Sequence, residues 1–188
     1  WIPGSYLIRD FARNVTEIRA REASGTVPIR KLDKQTWLLE ANSPDVTVDY
    51  RVYAFDLSVR SAYLDRTRAF FNGTSLFLAP DDSEGLDWQL TINRPDAEAC
   101  SDWLVATTLP AVDVDGRGFG RYAGHGLAVL YDCLVEIGVF AQAEFTVRGV
   151  PHNLVVSDGG QYDIHRIVSD LEPICAEHAA MFGELLIN

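Results

Sequence analysis

The chain has 188 residues, 47% hydrophobic and 23% charged, which excludes disordered, collagenous and coiled-coil chains, and no apolar run approaches the ~20 residues that span a bilayer. Its net charge of −11 is uneven: residues 1–68 carry 11 basic and 9 acidic residues, and residues 69–188 carry 5 and 18. Nucleic acids and anionic membrane surfaces need a basic face to neutralise phosphates, and this balance supplies none.

In chain order, Trp1-Ile2-Pro3-Gly4 opens without an initiator Met or a charged-then-apolar leader. The alternation of Val46, Val48, Tyr50, Val52 and Ala54 with Thr47, Asp49, Arg51 and Tyr53 predicts a half-buried strand. Asn72-Gly73, between Ala69-Phe70-Phe71 and Thr74-Ser75-Leu76-Phe77-Leu78, predicts a type I′ hairpin. Further strands are expected at Trp88–Ile92, Trp103–Leu109 and Phe145–Val147. Asp113–Gly126 reads as a glycine-rich loop, and Leu127–Glu136 as either a short helix or an irregular buried segment. His152–Ser157 is an apolar strand, and Asp158-Gly159-Gly160 a turn. From Asp163, apolar residues spaced by three and four up to Phe182 predict a helix, kinked or broken at Pro173. Leu185-Leu186-Ile187-Asn188 closes the chain as an apolar tail.

The expected fold is therefore mainly β: a sandwich-like N-terminal domain over residues 1–150, then a strand and helix over 151–188 that open an α-containing domain. Both ends read as cut from a larger protein. The acidic second part is either a plain solvated surface or a rim facing a cationic ligand such as a free amino terminus.

Candidate chemistry is sparse. Cys100, Cys133 and Cys175 form no CxxC and are expected reduced and at least partly buried, which slightly favours a cytoplasmic over a periplasmic location. Glu177-His178 lacks the second histidine of a zinc-protease HExxH, and Cys175 with His178 gives only two ligands where a zinc site takes three or four. Neither catalytic nor metal-binding residues are assigned. Gly116–Arg121 has GxGxG spacing rather than a dinucleotide fingerprint and reads as a flexible loop. Cys133 with His125 or His152 has no nucleophile signature. Trp37, Trp88 and Trp103 are expected in the core; exposed aromatics would instead suit a carbohydrate groove. Glu136, in Leu134-Val135-Glu136-Ile137-Gly138, is costly to bury unless paired. It is either an exposed or ion-paired residue, or a carboxylate that meets a ligand's ammonium.

Several phrases together resemble the glycyl aminopeptidase-type metallopeptidases, zinc enzymes that often carry a PDZ domain. These are Trp1-Ile2-Pro3-Gly4-Ser5-Tyr6-Leu7-Ile8-Arg9-Asp10-Phe11-Ala12-Arg13, Tyr50–Ala54, Leu57–Arg60 and Phe71–Phe77. Trp103–Leu109, Phe119–Tyr122, Asp132–Gly138 and Gly149–His152 continue the match in order. Leu134 departs from the proline the family usually has before Val-Glu-x-Gly.

The resemblance implies a non-catalytic N-terminal domain of an aminopeptidase that removes small N-terminal residues from peptides. The zinc, with its HExxH and general-base glutamate, would belong to a catalytic domain outside this chain, so the fragment itself is expected inactive. Its expected partners are its own catalytic domain and, in the parent, a peptide substrate, with Glu136 as the substrate-binding residue. Nucleic acid and a membrane span are not expected, and oligomeric state is open. Two other readings are a carbohydrate- or peptide-binding sandwich and a purely structural interaction module.

Overall fold

The structure is a computed structural model that describes residues 6–81, 83–157 and 159–183. Trp1–Ser5, Asp158 and the tail from residue 184 lie outside the described residues, so the opening phrase and the turn at Asp158 are not fully visible.

After a 3-10 turn at Phe11–Asn14, five strands follow: β1 (Val15–Glu22), β2 (Gly25–Val27), β3 (Ile29–Lys31), β4 (Trp37–Leu39) and β5 (Thr47–Val52). Next come β6 (Ala62–Leu64), β7 (Arg68–Asn72), the short helix α1 (Gly73–Leu76), β8 (Asp87–Ile92) and β9 (Leu104–Thr107). The remainder is β10 (Ala111–Val114), β11 (Gly120–His125), α2 (Leu127–Asp132), β12 (Leu134–Gly138), β13 (Ala141–Val147), β14 (Val150–Val156) and α3 (Ile164–Phe182). The expected mainly-β class is what the chain adopts.

All strand pairs are antiparallel, and the sheets run β2-β1-β5, β10-β11-β8 and β6-β7-β12-β9, with the hairpins β3-β4 and β13-β14. The main core joins the second and third sheets. Trp88 and Ile92 of β8 and Tyr122 of β11 meet Val135 and Ile137 of β12, with Trp103, Leu109 and Phe119 completing the cluster. Trp88 brings a polar handle inside, and its indole N–H donates to the Gly126 carbonyl at 3.1 Å. The first sheet stands outside this cluster.

The strand at 46–54 appears as β5, with Val48, Tyr50 and Val52 half-buried and Thr47, Asp49 and Arg51 exposed, as alternation requires. Asn72-Gly73 is not a hairpin turn. Asn72 is instead the N-cap of α1: its side-chain oxygen accepts from the Ser75 amide at 3.1 Å and the Thr74 hydroxyl at 2.6 Å. Glycine is needed at 73 because a Cβ there would lie 2.2 Å from the Leu130 carbonyl oxygen of α2. The two-residue turn with positive φ at both central positions lies instead at Arg148 (φ 49) and Gly149 (φ 82), joining β13 to β14.

The loop expected over Asp113–Gly126 is largely the β10-β11 hairpin, whose turn is braced by Asp115 accepting from the Arg117 and Phe119 amides. Leu127–Glu136 resolves into α2 followed by most of β12. The helix begins as expected, with Asp163 capping the Arg166 amide at 3.1 Å, and it continues through Pro173 to Phe182 without a break. Arg148 donates to the Ala179 carbonyl at 3.0 Å and the Gly183 carbonyl at 3.4 Å, tying the hairpin turn to the end of α3. The boundary expected at Val150–Pro151 falls inside the β13-β14 hairpin, whose strands pair from Ala141↔Val156 to Val147↔Val150.

Asn72→Ala should therefore lower stability by about 2 kcal/mol, from a lost cap and an orphaned buried amide. Gly73→Ala should cost a similar ~1–3 kcal/mol through overpacking. Both are measurable by urea denaturation.

Candidate functional site

The pleat of β12 puts Val135 (1% exposed) and Ile137 (8%) in the core, so Glu136 between them projects from the opposite face. Across the sheet Glu136 faces Phe70 of β7 and Ala106 of β9. Arg68, two residues before Phe70, stands on that same face beside Gly138. A side chain at Gly138 would press on Arg68, with a Cβ 3.1 Å from the Arg68 Cβ. Arg68 Nη2 donates to Glu136 Oε2 at 3.2 Å, the side chains being 31% and 13% exposed.

The pair is incompletely satisfied. Glu136 Oε1 and Arg68 Nε are both buried without a hydrogen-bond partner. Burial pushes the Glu136 carboxyl above the usual carboxylate range, while the Ser157 side chain and Arg68 pull it back. Arg68 is delivered by a tight turn built on Asp65. That carboxylate accepts from the Thr67 hydroxyl and amide at 2.7 Å, the Arg68 amide at 3.0 Å and the Tyr63 hydroxyl at 2.9 Å. These donors, led by Thr67, hold the Asp65 carboxyl well below its ordinary range.

An exposed apolar ridge leads toward this face. Tyr53, Phe55, Leu57 and Val59 are each 60–69% exposed, and Phe55 stacks on Tyr63 with centroids 5.2 Å apart. Tyr63 is opposite Phe70, which is opposite Glu136. Neither the ridge nor Arg68 was singled out by the sequence. Arg68 becomes relevant only through a register that joins residues 68 apart in the chain.

The other candidates are not brought together. Cys133 receives the Thr108 hydroxyl at 3.2 Å, His125 pairs with Asp87 at 2.8 Å, and His152 is directed to the Val150 carbonyl at 3.0 Å. No group of three or more His, Cys, Asp or Glu able to hold a metal occurs among the described residues. The three cysteines are free, with Cys100 buried and the others half-buried. Gly116–Arg121 forms the turn and opening of the β10-β11 hairpin. Trp88 and Trp103 are core residues as expected, whereas Trp37 is half-buried beneath Lys31 Nζ at 5.0 Å.

A carboxyl whose folded pKa exceeds its unfolded value favours folding below the unfolded pKa, a contribution lost as pH rises through the folded one. The melting temperature of Glu136→Gln relative to the unsubstituted chain should therefore increase as pH rises from about 4 to 7. Arg68→Met should cost about 2 kcal/mol, below the value for a fully enclosed pair because Arg68 is part-exposed. Thermal melts across pH check both.

Residues 1–139 match the family profile of the peptidase M61 N-terminal domain. The crystal structure of an aminopeptidase N family protein from Idiomarina loihiensis superposes with a TM-score of 0.93 at 38% identity. The superposition covers 100% of this chain and 32% of that one, so the chain spans about a third of the length of this solved relative. No curated protein sequence matches significantly. No helix among the described residues is long and apolar enough to cross a membrane. With a family match over most of its length and a solved aminopeptidase N family protein superposing over all of it, the chain belongs to the peptidase M61 family as an N-terminal domain.

Proposed function

We propose that this chain is the non-catalytic β domain of a zinc-dependent aminopeptidase that removes small N-terminal residues from peptides. The observation that carries the reading is the agreement in sequence and backbone with an aminopeptidase over the whole of the chain. The described residues gather no metal-ligand cluster, so a catalytic zinc would be held by residues of a catalytic domain outside this chain. That domain is the proposed partner, and the β domain forms one wall of its cleft. The three free thiols support a reducing, cytoplasmic setting.

Within this reading Glu136 is the residue that receives the free amino terminus of the substrate. A carboxylate enclosed on a sheet face with one unpartnered oxygen has unmet acceptor capacity, which an ammonium group would fill. The Arg68 contact favours a second reading, in which Glu136 is a structural ion pair beneath the domain contact.

Kinetics on the full-length enzyme separate the two. Under the substrate reading, Glu136→Gln raises KM for free-amine substrates about tenfold, equivalent to ~1.4 kcal/mol, with a much smaller change in kcat. Unchanged KM together with a lowered melting temperature assigns Glu136 to structure. Chelation should abolish the parent's activity, with zinc restoring it; activity indifferent to chelators would remove the metallopeptidase reading.

A further inference from the structure

A sheet with one apolar face needs a second layer to cover it. The first sheet lacks much of that layer. On one face of β1 and β5 Ala20 is buried, but Ile18, Val48 and Tyr50 reach only half-burial, unlike the core residues of the other two sheets. They form part of the floor of a groove of about 910 Å³. Trp37 and Leu39 from the β3-β4 hairpin line it, as does Leu76 at the end of α1. Tyr50 crosses toward that last segment, its hydroxyl donating to the Leu76 carbonyl at 3.0 Å. The groove is thus bounded by ordered backbone and floored by apolar side chains at strand spacing.

The backbone beside it is also unfinished. Among the described residues β5 pairs only with β1, as an edge of the β2-β1-β5 sheet. A free edge next to an apolar trough has the two features that strand addition uses: main-chain groups awaiting partners, and pockets for alternate side chains. The exposed side chains of β5 are Thr47, Asp49 and Arg51, so only the groove face offers apolar contact.

We infer that this groove and the open edge of β5 are the seat of an extended strand from the same polypeptide, contributed from outside residues 1–188, with apolar residues at alternate positions. About two thirds of the solved relative's chain lies outside the matched region, so the longer protein has ample sequence to supply it. The inference rests on reading this chain as one domain of a longer peptidase. It concerns a surface separate from the Glu136–Arg68 face.

Hydrogen exchange on the full-length protein and on the 188-residue chain provides the test. Amides of Thr47–Val52 that point away from β1 should exchange at least tenfold more slowly in the full-length protein, while the Val135 amide in the main core is equally protected in both; a difference that extends to Val135 overturns the inference. Acrylamide quenching of Trp37, isolated by comparison with Trp37→Phe, should fall in parallel. Val48→Lys in the full-length protein should return β5 exchange to the rate of the short chain while Val135 in the main core stays protected.

Equal exchange in both proteins overturns the inference, as does protection that survives Val48→Lys. Protection of the short chain that disappears on dilution identifies a second copy as the occupant and overturns it too. An active enzyme with an unprotected β5 edge would sink this inference alone. A protected edge in a protein without aminopeptidase activity would sink only the proposed function.

Discussion

The period-two pleat of one short strand organises the middle of this molecule. In β12, Val135 and Ile137 fill the space between two sheets, and the same geometry forces Glu136 onto the other side. Slipping the register by one residue would place a carboxylate in the core and two aliphatic side chains outside it. The core thereby fixes where the charge goes, and β7 supplies the matching cation because its Phe71 packs in the core while Arg68 and Phe70 share the other face. Packing on one face and ion pairing on the other are consequences of a single alignment.

The molecule is finished to different degrees on its two sides. Around Trp88, Trp103 and Val135 the packing is closed, and hydrogen bonds such as that from the Trp88 indole satisfy the polar groups carried inside. Around β1 and β5 the side chains are of the right type and spacing, yet only Ala20 is fully buried while Ile18, Val48 and Tyr50 are half-covered. Dispersion attraction falls steeply across even a small gap, so this half contributes less to stability than its composition would suggest.

Local patterning made much of the fold legible. The alternation of β5 and β8 and the three-four spacing of α3 are properties of contiguous residues, and each appears close to its expected place. The errors arose where distant chain decides the conformation. Asn72-Gly73 carries ideal turn chemistry, yet α2 approaches so closely that glycine serves for its missing Cβ and asparagine as a cap. Arg148 has no special turn propensity, but the pairing of β13 with β14 holds it at positive φ. At the candidate site, the apolar flanks of Glu136 announced an unusual carboxylate, while its partner depended on a pairing that no local pattern encodes.

The Arg148 bridge has a practical consequence for dividing the protein. Its guanidinium grips carbonyls at the end of α3 from a turn that precedes the helix by more than a dozen residues, closing a clasp around the hairpin. A truncation at residue 150 would leave β13 without its partner strand and expose the half-buried Ala143 and Phe145. It would also remove α3 and leave the Arg148 guanidinium without the Ala179 and Gly183 carbonyls it holds. Unpaired strands of this kind associate with one another. A soluble excised domain is better cut before Ala141, leaving the hairpin and helix to travel together as one separable piece.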